Sequence, residues 1–199
     1  MPTDPRHLIR KHIRHARQQL STLEQQIAAQ NLCQQVLKLP ELPRSQHIAL
    51  YLHNDGEIAT TPIIQALWQL GKTIYLPVLH PFTQGFLLFQ QYAPDTPMTS
   101  NRFGIAEPRL ACHQLKCVAE LDVVFTPLVA FDTAGQRIGM GGGFYDRTFA
   151  HQPLVQQRLI GLAHDCQRVS QIPAAAWDLP LPTVVTPSAI YRFNPDVNP

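Results

Sequence analysis

The densest group of residues able to do chemistry lies between Gly135 and Arg147, in the string GQRIGMGGGFYDR. Gly135, Gly139, Gly141, Gly142 and Gly143 are half of the ten glycines in the chain. Glycine weakens helices and strands, so such a cluster needs a reason, usually backbone at positive φ or backbone held close to a ligand. The apolar run 123–125 before it reads as a buried strand, a second apolar run spans 128–131, and a turn is expected at 132–135. Phe144-Tyr145-Asp146-Arg147 reads as the first turn of a helix. Strand, glycines and helix start, in that order, aim free backbone N–H groups at one place, which suits phosphate, and the helix dipole adds to it. Arg137 supplies a fixed positive charge and a forked donor set. The string is not a P-loop, because no Gly-Lys-Ser/Thr closes it, and its spacing makes no dinucleotide fingerprint. On the glycines alone a generic turn stays open; Arg137, Tyr145 and Asp146 favour a nucleotide site.

A second group of charges stands near the amino terminus. Arg6, Arg10, Arg14 and Arg17 recur at helical spacing and share one face of a helix expected over residues 5–20, with Leu8, Ile9 and Ile13 on the other side. This is either a solvated basic face or a phosphate clamp reaching the glycine turn. Ser21-Thr-Leu-Glu24 is a capping box opening a second helix, with Leu23, Ile27, Leu32, Val36 and Leu37 as its apolar side. A strand is expected at 47–52, then the turn-rich His53-Asn-Asp-Gly-Glu57, a helix capped by Thr60 or Thr61 and running to Gly71, and a strand at 72–78. Glu57 is a lone acid on a strand-end loop, where open parallel sheets build their ligand sites. Further strands are expected at 86–92, 158–164 and 183–187, and another at 189–193. A loop over 95–109 carries Phe103, and 165–182 is irregular and proline-rich. His164-Asp165 offers a base and an orienter, or a satisfied core histidine.

Alternating strands and helices predict an α/β fold with a mostly parallel sheet and helices on both faces, as one domain over 1–199. The 199 residues carry a net charge of +2 and are 45% apolar, which argues against a nucleic-acid binder relying on bulk charge. No stretch is apolar enough to span a bilayer and no signal-peptide pattern is seen, so no membrane partner is expected. Cys33, Cys112, Cys117 and Cys166 lack CxxC and zinc spacing and read as reduced thiols of a cytoplasmic protein. The nine histidines form no HExxH, and G-x-S-x-G is missing, which turns the reading away from zinc hydrolases and α/β-hydrolases.

The string GQRIGMGGGFYDR resembles the signature of the 5-formyltetrahydrofolate cyclo-ligase family, roughly G-x-R-L-G-x-G-x-G-Y-Y-D, and flanking segments of nearly the whole chain have counterparts there. The resemblance implies a three-layer αβα fold similar to sugar-phosphate isomerase and CoA-transferase folds. It implies ATP-dependent cyclisation of 5-formyltetrahydrofolate to 5,10-methenyltetrahydrofolate, with Mg²⁺ as cofactor, in a monomer. Carried over to this sequence, it implies ATP contacts from Arg6, Arg10 and Arg137, and from Ile138, Gly139, Met140, Gly141, Gly142, Gly143, Phe144 and Tyr145. Catalytic roles fall to Arg137 and Tyr145, folate contacts to Leu52, Glu57 and Phe103, and the metal to Asp146. Arg6 stands where the family has Lys, which keeps charge and changes donor geometry. Pro182 stands where several relatives have a second aspartate, leaving Mg²⁺ to Asp146, phosphates and water. A non-catalytic nucleotide- or folate-binding module and a sugar-phosphate isomerase of related fold are the alternatives.

Overall fold

The computed structural model describes residues 4–173, 175 and 177–193. The chain opens with helix α1 (Pro5–Gln18), whose N-cap Asp4 accepts from the Arg6 N–H at 3.0 Å. Helix α2 (Thr22–Val36) begins with the expected capping box: Ser21 and Glu24 bond each other's backbone N–H. Its seat on the core is the stripe Ala29, Leu32, Cys33 and Val36; Leu23, Ile27 and Leu37, expected to bury, are exposed. Strand β1 (His47–Ala49) is shorter than expected: the Leu50 N–H makes a last bond to the Tyr75 carbonyl at 2.9 Å, and the chain then leads to helix α3 (Thr61–Gln69). Thr60 caps α3 by position only, and its hydroxyl donates to the Tyr51 carbonyl at 2.6 Å.

Strands β2 (Thr73–Leu79) and β3 (Leu87–Tyr92) form an antiparallel pair. The region 95–109, expected to be a loop, contains a hairpin of β4 (Met98–Ser100) and β5 (Ala106–Pro108). Its strands are three residues long and mostly exposed, so they leave no hydrophobic alternation to read. Then come β6 (Leu115–Lys116), β7 (Val123–Pro127), and a tight hairpin of β8 (Ala130–Phe131) with β9 (Arg137–Ile138). Between β8 and β9 the Asp132 carboxylate accepts from the Ala134 and Gln136 N–H groups, and Gly135 sits at φ +78°. Helices α4 (Phe144–Phe149) and α5 (Pro153–Gln156) and strands β10 (Leu159–Leu162), β11 (Thr183–Val185) and β12 (Ile190–Arg192) complete the chain.

Eight strands form one sheet in the order β12-β11-β10-β7-β1-β2-β3-β6. The central pairs β11-β10, β10-β7, β7-β1 and β1-β2 are parallel, and antiparallel strands edge both sides. Side chains alternate across it. Ile48, Ile74, Val123 and Phe125 meet α2 and α3 on one face. Ala49, Tyr75, Val124 and Leu159 meet Phe149 of α4 and Val155 of α5 on the other. Those are the three layers the sequence predicts. Helix α1 packs through Ile13 against Val129, Ala130 and Ile138, so it stands beside the β8–β9 hairpin that leads into the glycine turn. The chain runs from β1 to β2 on one side and returns to β7 on the other. The crevice between the carboxyl ends of β1 and β7 is therefore the topological switch point, where such sheets hold ligands.

Candidate active site

A cavity of about 660 Å³ opens at that crevice. Tyr51 and Leu52 follow β1, Leu79 ends β2, and Pro127 and Leu128 end β7, so strand ends form its floor. One wall is the glycine turn with the start of α4: Arg137, Gly139, Met140, Gly142, Gly143 and Phe144 line it, joined by Tyr145 and Asp146. The opposite wall is the Glu57 turn and the β4–β5 hairpin, which brings Asn101, Phe103 and Glu107. Of the residues expected at the site, Arg6, Arg10, Ile138 and Gly141 stand outside the lining. Ile138 is fully buried beneath the turn in the core under α1.

The glycine turn is tied down by its carbonyls. Arg10 Nε donates to the Gly139 oxygen at 2.9 Å, and Arg147 donates to the Gly142 oxygen and, at 3.1 Å, to the Gly85 oxygen. The N–H groups of Gly141, Gly142 and Gly143 have no hydrogen-bond partner among the described residues. Gly141 at φ +100° and Gly143 at φ +62° are backbone conformations a side chain would strain. Carbonyls held back and N–H groups left free make an anion cradle. Helix α4 has six residues, so the dipole contribution expected from it is confined to its first turn.

The arginines are less free than their spacing implies. Arg137 is 3% exposed; its Nη2 donates to Asp146 Oδ1 at 2.6 Å and its Nε to the Leu179 carbonyl at 3.3 Å. Arg6 forms a two-point pair with Asp178 at 2.5 and 2.9 Å. Arg14 and Arg17 both bind the Asp55 carboxylate. The basic face of α1 is thus divided: Arg10 holds the glycine turn, while the other three are paired with acids.

Glu57 is half-buried in the cleft wall, and its carboxyl is pushed up to about 7, chiefly by burial. Tyr145 presents a buried hydroxyl with no partner among the described residues, and burial pushes its phenol well above the ordinary value. Phe103 is 53% exposed on the hairpin and meets the Phe144 ring edge-on at 5.8 Å, so the two walls touch through these rings. Asp55, Tyr51 and Glu107 escaped the sequence reading as site residues. Asn-Asp-Gly signalled a turn but not its partner helix, and Glu107 was seen only as part of a loop.

Among the described residues no group of three or more His, Cys, Asp or Glu could hold a metal ion. Near the glycine turn Asp146 is the carboxylate available, and one of its oxygens is taken by Arg137 and the Leu179 N–H. Asp178 is spent on Arg6, and Pro182 lines a separate polar cavity with Glu41 and Arg192. Such a donor set fits a cation that arrives chelated by a nucleotide, not one caged by protein. Among the described residues no helix is long and apolar enough to cross a membrane.

Fold and cleft define an α/β protein with a cavity at the carboxyl ends of its parallel strands, one wall of which is a glycine turn with free N–H groups. The sequence profile of the 5-formyltetrahydrofolate cyclo-ligase family matches residues 2–187, and the chain belongs to that family. It is 50% identical over 181 residues to the 5-formyltetrahydrofolate cyclo-ligase of Haemophilus influenzae, covering 91% of this chain and 97% of that one. It is 45% identical to the Escherichia coli K12 enzyme of the same name, covering 91% and 100%. The NMR structure of Aquifex aeolicus 5,10-methenyltetrahydrofolate synthetase superposes with a TM-score of 0.82 at 27% identity, covering 98% of this chain and 95% of that one. A 5,10-methenyltetrahydrofolate synthetase from Mycoplasma pneumoniae shares the fold with a TM-score of 0.72 at 22% identity, covering 92% and 99%.

Proposed function

We propose that this cleft converts 5-formyltetrahydrofolate and ATP into 5,10-methenyltetrahydrofolate, ADP and phosphate. The observation that carries the reading, beside family membership, is that one cavity joins an anion cradle with a half-buried carboxylate and an aromatic wall. An amide-like formyl oxygen is a poor leaving group. Transfer of the γ-phosphoryl group to it releases ADP and makes it a phosphate ester of an imidate-like carbon. N10 then attacks that carbon and gives up its proton, and the C–O bond breaks as phosphate departs. The protein's share is positioning and charge stabilisation.

In this reading the free N–H groups of the Gly139 to Gly143 turn receive the phosphates, held in place by Arg10 through the Gly139 carbonyl. Arg137 leaves Asp146 for a phosphate oxygen, and Arg6 reaches the nucleotide only by releasing Asp178. Ile138, Met140 and Phe144 frame the turn. Tyr145 Oη, buried and unpartnered, closes on the reacting formyl or phosphoryl oxygen. Glu57 accepts from the pterin ring N–H and its amino group, two donors in one plane. Leu52 and Phe103 pack on the rings. Magnesium enters with the nucleotide: Asp146, released by Arg137, would hold it, and the ion would neutralise charge on the phosphates. The whole chain acts as one domain and as a monomer, and its four free cysteines fit the reducing cytoplasm.

The test is the appearance of methenyltetrahydrofolate absorbance with and without ATP. Growth of the signal only with Mg·ATP is expected. Folate or nucleotide binding without turnover would make the chain a binding module, and ATP-independent turnover of a sugar phosphate would make it an isomerase.

A further inference from the structure

Arg17 is the largest fully buried side chain of the molecule, at 0% exposure on a helix whose other arginines reach the surface or the glycine turn. Its Nε donates to the Asp55 carbonyl at 2.9 Å and its Nη2 to Asp55 Oδ2 at 2.8 Å. Nη2 also lies 3.8 Å from the Met140 sulfur, in the glycine turn. Arg14 and Gln18 add donors to the same carboxylate at 2.7 and 2.8 Å. The hydrogen bond from Arg14, ahead of the opposing effect of burial, leads in holding the Asp55 carboxyl below its ordinary value.

What Asp55 does with these contacts is local. Asn54, Asp55, Gly56 and Glu57 form a turn closed by the Glu57 N–H on the Asn54 carbonyl at 2.9 Å. Asp55 is at φ +50° and Gly56 at φ +73°, the pairing of a type I′ turn. Asp55 is the one non-glycine residue at positive φ among the described residues; aspartate before glycine suits such a turn, and the bonds from Arg17 fix where the turn sits against α1. A Cβ on Gly56 would stand 3.4 Å from the Arg17 Cγ, so the arginine stem packs under the turn as its head binds the turn's carbonyl. The turn ends on Glu57, whose carboxylate also accepts from the Asn54 N–H at 3.1 Å.

We infer that Arg17 is a positioning residue for the folate end of the cleft: its two-point grip on Asp55 fixes the left-handed turn that aims Glu57. The inference rests on the cyclo-ligase reading. Arg17 itself does not line the cleft, so it acts only through Asp55 and Glu57. A lysine could match its charge but not grip carbonyl and carboxylate together.

The experiment measures 5-formyltetrahydrofolate and ATP binding by calorimetry, with KM and kcat alongside, for Arg17→Met, Asp55→Asn and Glu57→Gln and for each of the first two combined with Glu57→Gln. Asparagine tolerates the left-handed conformation, so Asp55→Asn carries the test should Arg17→Met fail to fold. Both variants are expected to weaken folate binding about tenfold while ATP binding stays within about threefold, the pattern of a misplaced contact. Glu57→Gln is expected to add little in either background, since its target is already misaimed. Unchanged folate affinity, or a Glu57→Gln loss that multiplies in full with the others, overturns the inference. A wild-type chain that binds no folate overturns the functional reading itself, a result distinct from wild-type binding that the variants leave unmoved.

Discussion

Arg137 Nη2 and Asp146 Oδ1 lie 2.6 Å apart, with the arginine 3% and the aspartate 19% exposed. The two groups given opposite tasks, one for phosphate and one for its metal, are each other's partner without ligand. A magnesium–phosphate pair presents the same two charges in exchange: phosphate for the guanidinium, cation for the carboxylate. Ligand entry therefore trades one half-buried ion pair for two, and neither group faces the low-dielectric wall uncompensated before binding.

Arg137→Ala is expected to lower kcat/KM by about 10²–10³, the loss of one preorganised donor, or roughly 2.7–4 kcal/mol. The pairing adds a consequence that spacing alone did not show. The variant also loses stability, because Asp146 keeps its charge and loses its partner. Steady-state kinetics and a thermal melt together check this. Near wild-type kcat/KM removes Arg137 from the phosphate site.

In the proposed function Glu57 meets the pterin as a carboxylate, and its carboxyl is pushed up to about 7. The ionised fraction therefore falls as pH drops through 7, and the folate KM is expected to rise by about tenfold per pH unit well below that value. The ATP KM should stay flat over the same range. Glu57→Gln should have a high folate KM at every pH. If wild type and Glu57→Gln share one pH profile, Glu57 is not reading the pterin.

His164 ends the turn out of β10, buried, with Nε2 unpartnered among the described residues. Its imidazole is pushed down to about 4, first by burial and then by Arg17. The unfolded chain takes up a proton near 6.5 that the folded chain refuses until about 4. Stability from this group is full above 6.5 and lost as pH falls towards 4, by about 3 kcal/mol at the lower limit. Glu57 has the opposite sign: its raised value gives stability that is full below 4.5 and lost as pH rises through 7. It is common to wild type and His164→Gln, so it cancels between them. Urea midpoints from pH 7.5 to 4.5 should rise for the variant relative to wild type as pH falls; a gap that does not change with pH assigns the titration elsewhere.

Much of this architecture is legible in the chain, for physical reasons that also mark where legibility stops. Runs 123–125 and 74–78 are apolar on both faces because helices cover both sides of the sheet, and Ser21 with Glu24 makes a cap whose chemistry is local. The switch-point crevice follows from strand and helix order, which placed Glu57 on a strand-end loop. Arg17 was not legible: periodicity puts it on a basic face, and only Asp55, 38 positions away, explains a fully buried arginine. The Arg6–Asp178 pair spans 172 positions and disarms a residue that spacing alone leaves free for phosphate. The β4–β5 hairpin has strands of three residues that are mostly exposed, so hydrophobic patterning carries no trace of it.

Asp146→Asn separates the two tasks of that carboxylate. The amide keeps size and shape, so the start of α4 and the Leu179 N–H contact survive. As the motif's ionised protein ligand is gone, the Mg²⁺ needed for half-maximal rate should rise on the order of tenfold, equivalent to about 1.4 kcal/mol. Arg137 at the same time loses the charge that holds it, so metal-free ATP should bind more tightly than to wild type. The two effects have opposite signs, and a simple loss of packing would produce neither combination. Pro182→Asp, the replacement that would match relatives with a second aspartate, is not expected to rescue the metal. Pro182 lines the other cavity, and its carbonyl is fixed by the Phe193 N–H at 2.9 Å. Magnesium titration of the rate, with ATP binding measured in the presence of a chelator, decides between these outcomes. An Asp146→Asn protein with unaltered Mg²⁺ demand and weaker metal-free ATP binding would leave Asp146 as the anchor of Arg137 and nothing more.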